Sequence, residues 1–493
     1  MRRSPRRKAI SVLPDDALLE IFKFYVDPTY DEDAWQILVH VCRKWRYVVF
    51  ASPRSLRLEL RCTYRSPVKK MLYVWPALPI LIDVHIPNSR QSGVTNIIAA
   101  LKRHDLVCKI KIWGVPNSLL KSPAVKLPFP ELTHLTLRSN EVNVPVIQDS
   151  FLGGSVPRLQ LLEFRGIPFL FPALGKLLLS AKDLVTFRLL EIPNSGISSP
   201  ELIVTSLSAL TRLQELSIGF RSPRSRADRE RRRRSLSRRL VLPSLTEFYF
   251  KGDSEYLEDI VGRIDAPALD GVSITFFNQL VFDTPLLRDF ISRTEVFQNL
   301  HRADVFVAGS CINFTLFRRE GMADRRMLEI GISSSVAEWQ LSSLAEFCNT
   351  SLPPLPTLER LNINEFQWWR SDMESSQWLE LLHPFVAVRD LVLSSEVVCR
   401  VAPALRELTG DMLTEVLPAL REVFFGDHSC LPGPIREAFA QFIAARQLSG
   451  HPVSIHVKEA DKQPTTGWDV PRWRENVGGS RTAATSVCSV AGE

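Results

Sequence analysis

Leu132-Thr133-His134-Leu135-Thr136-Leu137-Arg138-Ser139-Asn140 is the stretch on which the reading of this chain turns. Leu135 and Leu137 alternate with polar neighbours, as in a strand with one buried face, and Leu132 is reached through a proline turn at Phe129-Pro130-Glu131. The spacing Leu-x-x-Leu-x-Leu-x-x-Asn recurs more loosely as Leu159-Leu162-Phe164, Leu184-Phe187-Leu189, Leu213-Leu216-Ile218, Leu245-Phe248-Phe250, Leu269-Val272-Ile274, Leu358-Leu361-Ile363 and Leu420-Val423-Phe425. First positions of the copies from 132 to 269 are separated by 27, 25, 29, 32 and 24 residues. Between copies lie apolar stripes, such as Leu257, Ile260, Val261 and Ile264, or Leu202, Leu207 and Leu210 with Leu213, so each unit reads as strand plus helix. Neither element can bury its apolar side alone, whereas stacked units share one core. An ordinary α/β core would supply the leucines without the repetition.

This period lies close to the roughly 20–29 residues of leucine-rich repeats, and the pattern resembles theirs. The expected fold class is therefore α/β: an irregular strand-helix solenoid over residues 55–458, preceded by an all-helical segment. Leu56, Leu58 and Leu60 alternate with Arg57, Glu59 and Arg61, which predicts a strand directly after those helices. Between Leu269 and Leu358 the spacing lapses, although 304–306 and 327–332 read as strands, and the solenoid is expected to continue there. Ile435, Phe439, Phe442 and Ile443 predict a last helix opened by Pro434, and Val453, Ile455 and Val457 a last strand. Beyond Lys458 the chain turns polar, and 459–493 reads as a disordered tail.

The chain has 493 residues, 45% hydrophobic and 23% charged, a composition that excludes a mainly disordered protein. Eight cysteines lie far apart without a Cys-x-x-Cys, which reads as reduced thiols. The basic arm 1–9 meets Asp15 and Asp16 too early for a secretory signal, and the apolar stretch 71–86 contains Pro76, Pro79 and Asp83. These features predict no membrane span and a cytoplasmic or nuclear location. The net charge of +7 is local, because residues 221–239 hold ten arginines against Asp228 and Glu230. Self-repulsion is expected to keep this insertion disordered between two strand motifs; it reads as a solvated loop, a nuclear-import signal, or a site for acidic or phosphate-rich partners, nucleic acid included, through Arg231, Arg232, Arg233 and Arg234.

Near the N-terminus, Leu18, Ile21, Phe22 and Tyr25 fall on one helical stripe beginning at Pro14, with Asp15 and Asp16 in the first turn and Asp27-Pro28 as its stop. Leu38, Val41, Cys42, Trp45 and Val49 predict a second helix ending before Ser52-Pro53. Such stripes could simply cap the next domain, but two short helices are too small to bury both in a core of their own. Leu13-Pro14, Leu18, Ile21-Phe22, then Val41-Cys42 and Trp45 resemble the F-box, over residues 10–54. The resemblance implies a three-helix motif that docks a Skp-type adaptor, and through it a cullin-RING ubiquitin ligase, with Leu13, Pro14, Leu18, Ile21, Phe22, Val41, Cys42 and Trp45 forming the interface. An F-box followed by leucine-rich segments such as 75–86 and 129–140 is similar to the F-box proteins expanded in basidiomycete fungi.

No Gly-x-Ser-x-Gly, His-Glu-x-x-His, P-loop or Gly-x-Gly-x-x-Gly occurs, and the contiguous Asp427-His428-Ser429 lacks the separated spacing from which a triad is assembled. Gly153-Gly154 reads as a helix end or turn. The expectation is a substrate receptor with no catalytic residues, metal or cofactor, holding an unidentified target on its repeats. An interaction scaffold unconnected to ubiquitin and a nucleic-acid-binding protein are the alternatives.

Overall fold

Six repeats enter their strands through one kind of turn. A proline follows an apolar residue, and the leucine two positions later returns its N–H to that residue's carbonyl: Leu132 to Phe129 (3.3 Å), Leu159 to Val156 (3.1 Å), Leu245 to Leu242 (3.3 Å), Leu269 to Ala266 (3.2 Å), Leu358 to Leu355 (3.2 Å) and Leu420 to Leu417 (3.0 Å). Proline's fixed φ suits the second position of such a turn and gives up a donor the turn does not need. The next residue then bonds back to the preceding repeat, as Gln160 N–H to Thr133 O (2.8 Å) and Thr246 N–H to Gln214 O (2.9 Å) do. Each turn is thereby locked to its neighbour before the strand begins.

The structure is a computed structural model and describes residues 13–26, 34–53, 55–56, 58–63, 65, 68–86, 92–140, 144–196, 199–223, 239–277, 279, 281–308, 311–321, 323–333, 338–365, 374–410, 412–425 and 433–457. The basic arm 1–9, the helix linker 27–33, Arg231 to Arg234 with most of the insertion, Asp427-His428-Ser429 and the tail 459–493 lie outside the described residues.

The strands are β1 Leu60–Cys62, β2 Ile80–His85, β3 Val107–Trp113, β4 His134–Arg138, β5 Leu161–Arg165, β6 Thr186–Ile192, β7 Glu215–Phe220, β8 Leu240–Val241, β9 Glu247–Gly252, β10 Ile264–Asp265 and β11 Gly271–Phe277. They continue as β12 Leu300–Ala308, β13 Cys311–Glu320, β14 Ala323–Ser333, β15 Arg360–Glu365, β16 Asp390–Leu393, β17 Glu422–Phe425 and β18 Ser454–Val457. Apart from the short parallel pair β8 and β10, all belong to one sheet of sixteen strands in the order β1-β2-β3-β4-β5-β6-β7-β9-β11-β14-β13-β12-β15-β16-β17-β18. The fold is thus mixed α/β with a long, mostly parallel sheet, a leucine-rich-repeat-like solenoid. The repeat leucines all point to the face shared with the helices: Leu135, Leu137, Leu162, Phe187, Leu216, Ile218, Phe250 and Ile274 are at most 3% exposed. Val107-Ile110-Ile112 and Val388-Leu391-Leu393 form two further copies in β3 and β16, written without a leading leucine.

Between β11 and β15 the sheet continues but the strand-helix unit does not. After the helix Pro285–Arg293 the chain lays β12 three strand positions from β11, then returns through antiparallel β13 and β14 to fill the gap. A second helix, Glu338–Thr350, carries it over to β15 beside β12. Two tight turns replace two crossovers, so the motif spacing has nothing to mark here.

Polar side chains tie successive repeats together on the helical side. Glu258, in the helix Ser254–Val261, accepts the N–H groups of Leu286 (2.9 Å) and Leu287 (2.6 Å) at the start of the next helix. Arg293 donates to Val261 O (3.0 Å) and Ile264 O (2.9 Å). The last helix, Gly433–Leu448, contributes the fully buried Arg446, which donates to the carbonyls of Leu413 (2.6 Å), Leu417 (3.2 Å) and Leu420 (3.4 Å). Among the described residues no helix is long and apolar enough to cross a membrane.

At the N-terminal end three helices precede the sheet, where the apolar stripes alone predicted two: α1 Asp15–Tyr25, α2 Ala34–Val41 and α3 Arg43–Ala51. The predicted second helix breaks at Cys42, which is extended (φ −160°, ψ 172°) and caps α3 by accepting Trp45 N–H on Sγ at 3.5 Å. The strand expected from Leu56 begins only at Leu60, because Leu56 and Leu58 spend their N–H groups on Ser52 O (3.2 Å) and Pro53 O (2.9 Å) at the end of α3. Leu202 lies outside its expected stripe: it is exposed, while Ile203, Val204 and Leu207 form the buried side of the helix Pro200–Leu207. Ile264 likewise leaves the predicted helical stripe, being the first residue of β10.

Candidate functional site: two uncovered stripes on the N-terminal helices

α1 starts at a proline and carries Asp15 and Asp16 where the helix dipole favours acids. Leu18 and Phe22, four residues apart, are fully buried, and the Phe22 ring meets Trp45 of α3 edge-on at 4.8 Å. Lys44 ties the two helix starts together, donating to Leu13 O at 2.6 Å and lying 3.3 Å from Asp15. Arg46 does the same for α2, donating to Val39 O at 2.9 Å. The trio is fixed to the sheet by aromatic rings: Trp35 of α2, 1% exposed, lies edge-on to Trp75 at 5.4 Å, and Phe50 of α3 lies 6.0 Å from Trp75. Trp75 closes the helix Val68–Val74, so this joint belongs to both parts of the molecule. Lys44 and Arg46 link the helices through one ion pair and two backbone carbonyls, while the rings supply buried area between them.

The eight residues expected at an adaptor interface are divided by this packing. Leu18 and Phe22 are interior, Leu13 and Trp45 are half-buried against the same core, and Pro14, Ile21, Val41 and Cys42 are exposed. Leu18 and Phe22 therefore support the exposed residues of α1 from behind. Exposed apolar residues beyond that set complete two stripes by helical spacing: Ile21 with Phe24 and Tyr25 on α1, and Ile37 with Val41 on α2. Phe24 is 86% exposed, which is costly for a phenyl ring with no covering element among the described residues. Tyr47 of α3, 68% exposed, lines a shallow depression with Arg43, Arg46, Phe50 and Ala51. Phe24 and Ile37 were missed because each lies on the flank opposite the core-facing stripe, and one amphipathic stripe accounts for a helix in an ordinary domain. A second apolar stripe on a three-turn helix is the signal that marks them.

No family model and no curated protein matches the chain. Among solved structures it is similar to the leucine-rich repeat-containing protein LegL7 from Legionella pneumophila, with 14% identity and a TM-score of 0.29, over 70% of this chain and 98% of that one. That likeness is too distant to carry an argument about function.

Proposed function

We propose that this chain is the substrate-recognition subunit of a Skp-cullin-F-box ubiquitin ligase, docking a Skp-type adaptor through α1 and α2 and holding a target protein on its repeats. The observation that carries the reading is the pair of uncovered apolar stripes, Ile21-Phe24-Tyr25 and Ile37-Val41, on helices already held from behind by their own core. Leu13-Pro14 and Val41-Cys42 with Trp45 add the F-box resemblance. The chain performs no chemistry in this reading. It raises the effective concentration of a target lysine near a ubiquitin-loaded enzyme, as a linked binding site does.

Pull-down with a purified Skp-type adaptor tests it. Wild type is retained, while Ile21→Asp and Val41→Asp are not, because each puts a charge into the buried centre of an interface. Failure of the wild type to bind, or equal binding by both variants, removes the ligase from the reading. What then stands is an interaction scaffold, favoured by the long repeat sheet alone.

A further inference from the structure

Side chains that face away from the helices line up across the sheet by register. At the C-terminal ends of the strands Trp113, Arg138, Arg165 and Leu190 lie in one row across β3 to β6; past a register shift in β6, Gly219 and Lys251 pair across β7 and β9 beside the Leu190 side chain. Two charge networks share this region, and they are not balanced alike. In the first, Arg138 donates to Glu163 at 2.8 Å, Glu163 also lies 3.6 Å from Arg188, and Arg188 donates to Glu215 at 2.6 Å. Two cations meet two carboxylates, and the network is closed.

The second network is built on a bulge between Leu189 and Ile192, where Glu191 takes a left-handed backbone (φ 51°) that a side chain of its kind rarely adopts. Arg165 holds its carboxylate at 2.7 Å. Arg221 joins from the end of β7, its N–H bonded to Ile192 O at 3.0 Å, and Lys251 from β9. Burial works against ionisation of Glu191, yet the Arg165 hydrogen bond and the charges of Arg165, Arg221 and Lys251 hold its carboxyl below the ordinary value. Burial and Arg165 together push the Lys251 ammonium down, with Glu191 opposing them. Three cations thus surround one carboxylate. Half-buried Lys251 makes no hydrogen bond or ion pair among the described residues, its Nζ lying only over the Phe277 ring at 5.8 Å. A desolvated ammonium with no hydrogen-bond acceptor among the described residues, and only the charge of Glu191 to oppose its burial, is an incomplete interaction.

We infer that this part of the sheet, at Arg165, Arg221 and Lys251, is the docking site for an acidic segment of a partner protein, whose carboxylates complete the charge that Glu191 alone leaves unbalanced. Nucleic acid is the poorer fit. Base stacking needs a free aromatic face, and the ring in this row, Trp113, is covered by Arg138 at 4.2 Å and approached by Lys111 at 5.5 Å. The inference gives chemistry to the target-holding half of the proposed function and is independent of the adaptor-docking half.

Fluorescence anisotropy of the full chain with a labelled Glu-Gly repeat decapeptide tests it, in low and moderate salt. The peptide binds wild type, binding weakens as salt rises, and Lys251→Met and Arg221→Gln each weaken it about tenfold, the loss of one charge-assisted contact. Arg221 is exposed, so its variant folds even if the Lys251 variant does not. Three results overturn the site: no binding at low salt, binding unchanged in both variants, or binding abolished by removing 224–238 while surviving in both. Tighter binding of a single-stranded RNA decamer, lost in the same two variants, assigns the site to nucleic acid and overturns the choice of partner. A failed adaptor pull-down leaves all these outcomes readable, because no residue is shared between the two surfaces.

Discussion

From β2 to β11 each main-sheet strand lies beside the previous one and runs parallel to it, whereas from β12 to β14 the chain doubles back on itself within the same sheet. Both regions bury their inward residues completely, with Leu216 and Ile218 in one and Phe314 and Leu316 in the other at 0% exposure. They differ in what the chain spends between strands. A parallel neighbour requires a crossover, and its proline turn and helix leave a repeating signature. An antiparallel neighbour needs only a tight turn, and Gly321 between β13 and β14 supplies the left-handed residue (φ 61°) for one of them. Continuity of a sheet and continuity of a repeat are therefore separate properties.

Truncations at matched depth break this comparison most strongly. Phe314→Ala, in the middle strand of the meander and packed 5.9 Å from Phe385 of a following repeat, is expected to cost about 3–5 kcal/mol. Because β13 joins β14 to β12, it should loosen β11 and β15 together, read by hydrogen exchange in those two strands. Leu216→Ala is expected to cost about 2–5 kcal/mol and to loosen mainly β6 and β9, its neighbours. Equal spread of lost protection in both variants would erase the distinction.

Next in size is Arg446→Met, which removes the guanidinium from the carbonyls of Leu413, Leu417 and Leu420 in a buried turn and leaves only Leu417 O its other donor, the Leu420 N–H, at a cost of about 3 kcal/mol in urea unfolding. Arg293→Met, at the entrance to the meander, removes two such bonds from a side chain 20% exposed and should cost about half as much.

A titration sharpens the same junction. Burial pushes the Glu258 carboxyl up to about 7, against the two amide hydrogen bonds that favour its charged form. Its folded value lies above the unfolded one, so its contribution to stability is full below about pH 4 and is lost as pH rises through about 7. Melting temperatures from pH 4 to pH 8 should fall more steeply for wild type than for Glu258→Gln, the difference reaching at most about 3 kcal/mol. Parallel profiles would remove Glu258 from the pH response. The smallest effect on the fold belongs to Ile21→Asp and Val41→Asp, whose exposed positions predict stability within about 0.5 kcal/mol of wild type by thermal melting.

The repeat core was legible because Leu132, Leu135, Leu137 and their counterparts combine a period, a turn and an alternation that few other folds produce together. Val107 and Val388 escaped notice because burial asks only for an apolar side chain, while the pattern asks for leucine. The break at Cys42 was invisible to periodicity, since α2 and α3 keep almost the same spacing across it; only the backbone shows the thiol acting as a cap. For the helical face, the sequence named residues by type, and half-burial of Trp45 and full burial of Phe22 could be known only once the three helices were packed. Nothing local announced the cations around Glu191, because Arg165, Arg221 and Lys251 come from three strands or strand ends far apart in sequence and are brought together only by the sheet and the bulge at Glu191.

The meander also sets an order of events during synthesis. On a ribosome, every strand from β2 to β7 and then β9 and β11 meets a waiting neighbour as it emerges, and the sheet can grow one strand at a time. β12 emerges with no neighbour in place, and β11 keeps a bare edge until β14 arrives to cover it. Assembly must then proceed in a single jump of three strands, so the nascent chain presents the unpaired edge of β11 while the segment up to β14 is being made.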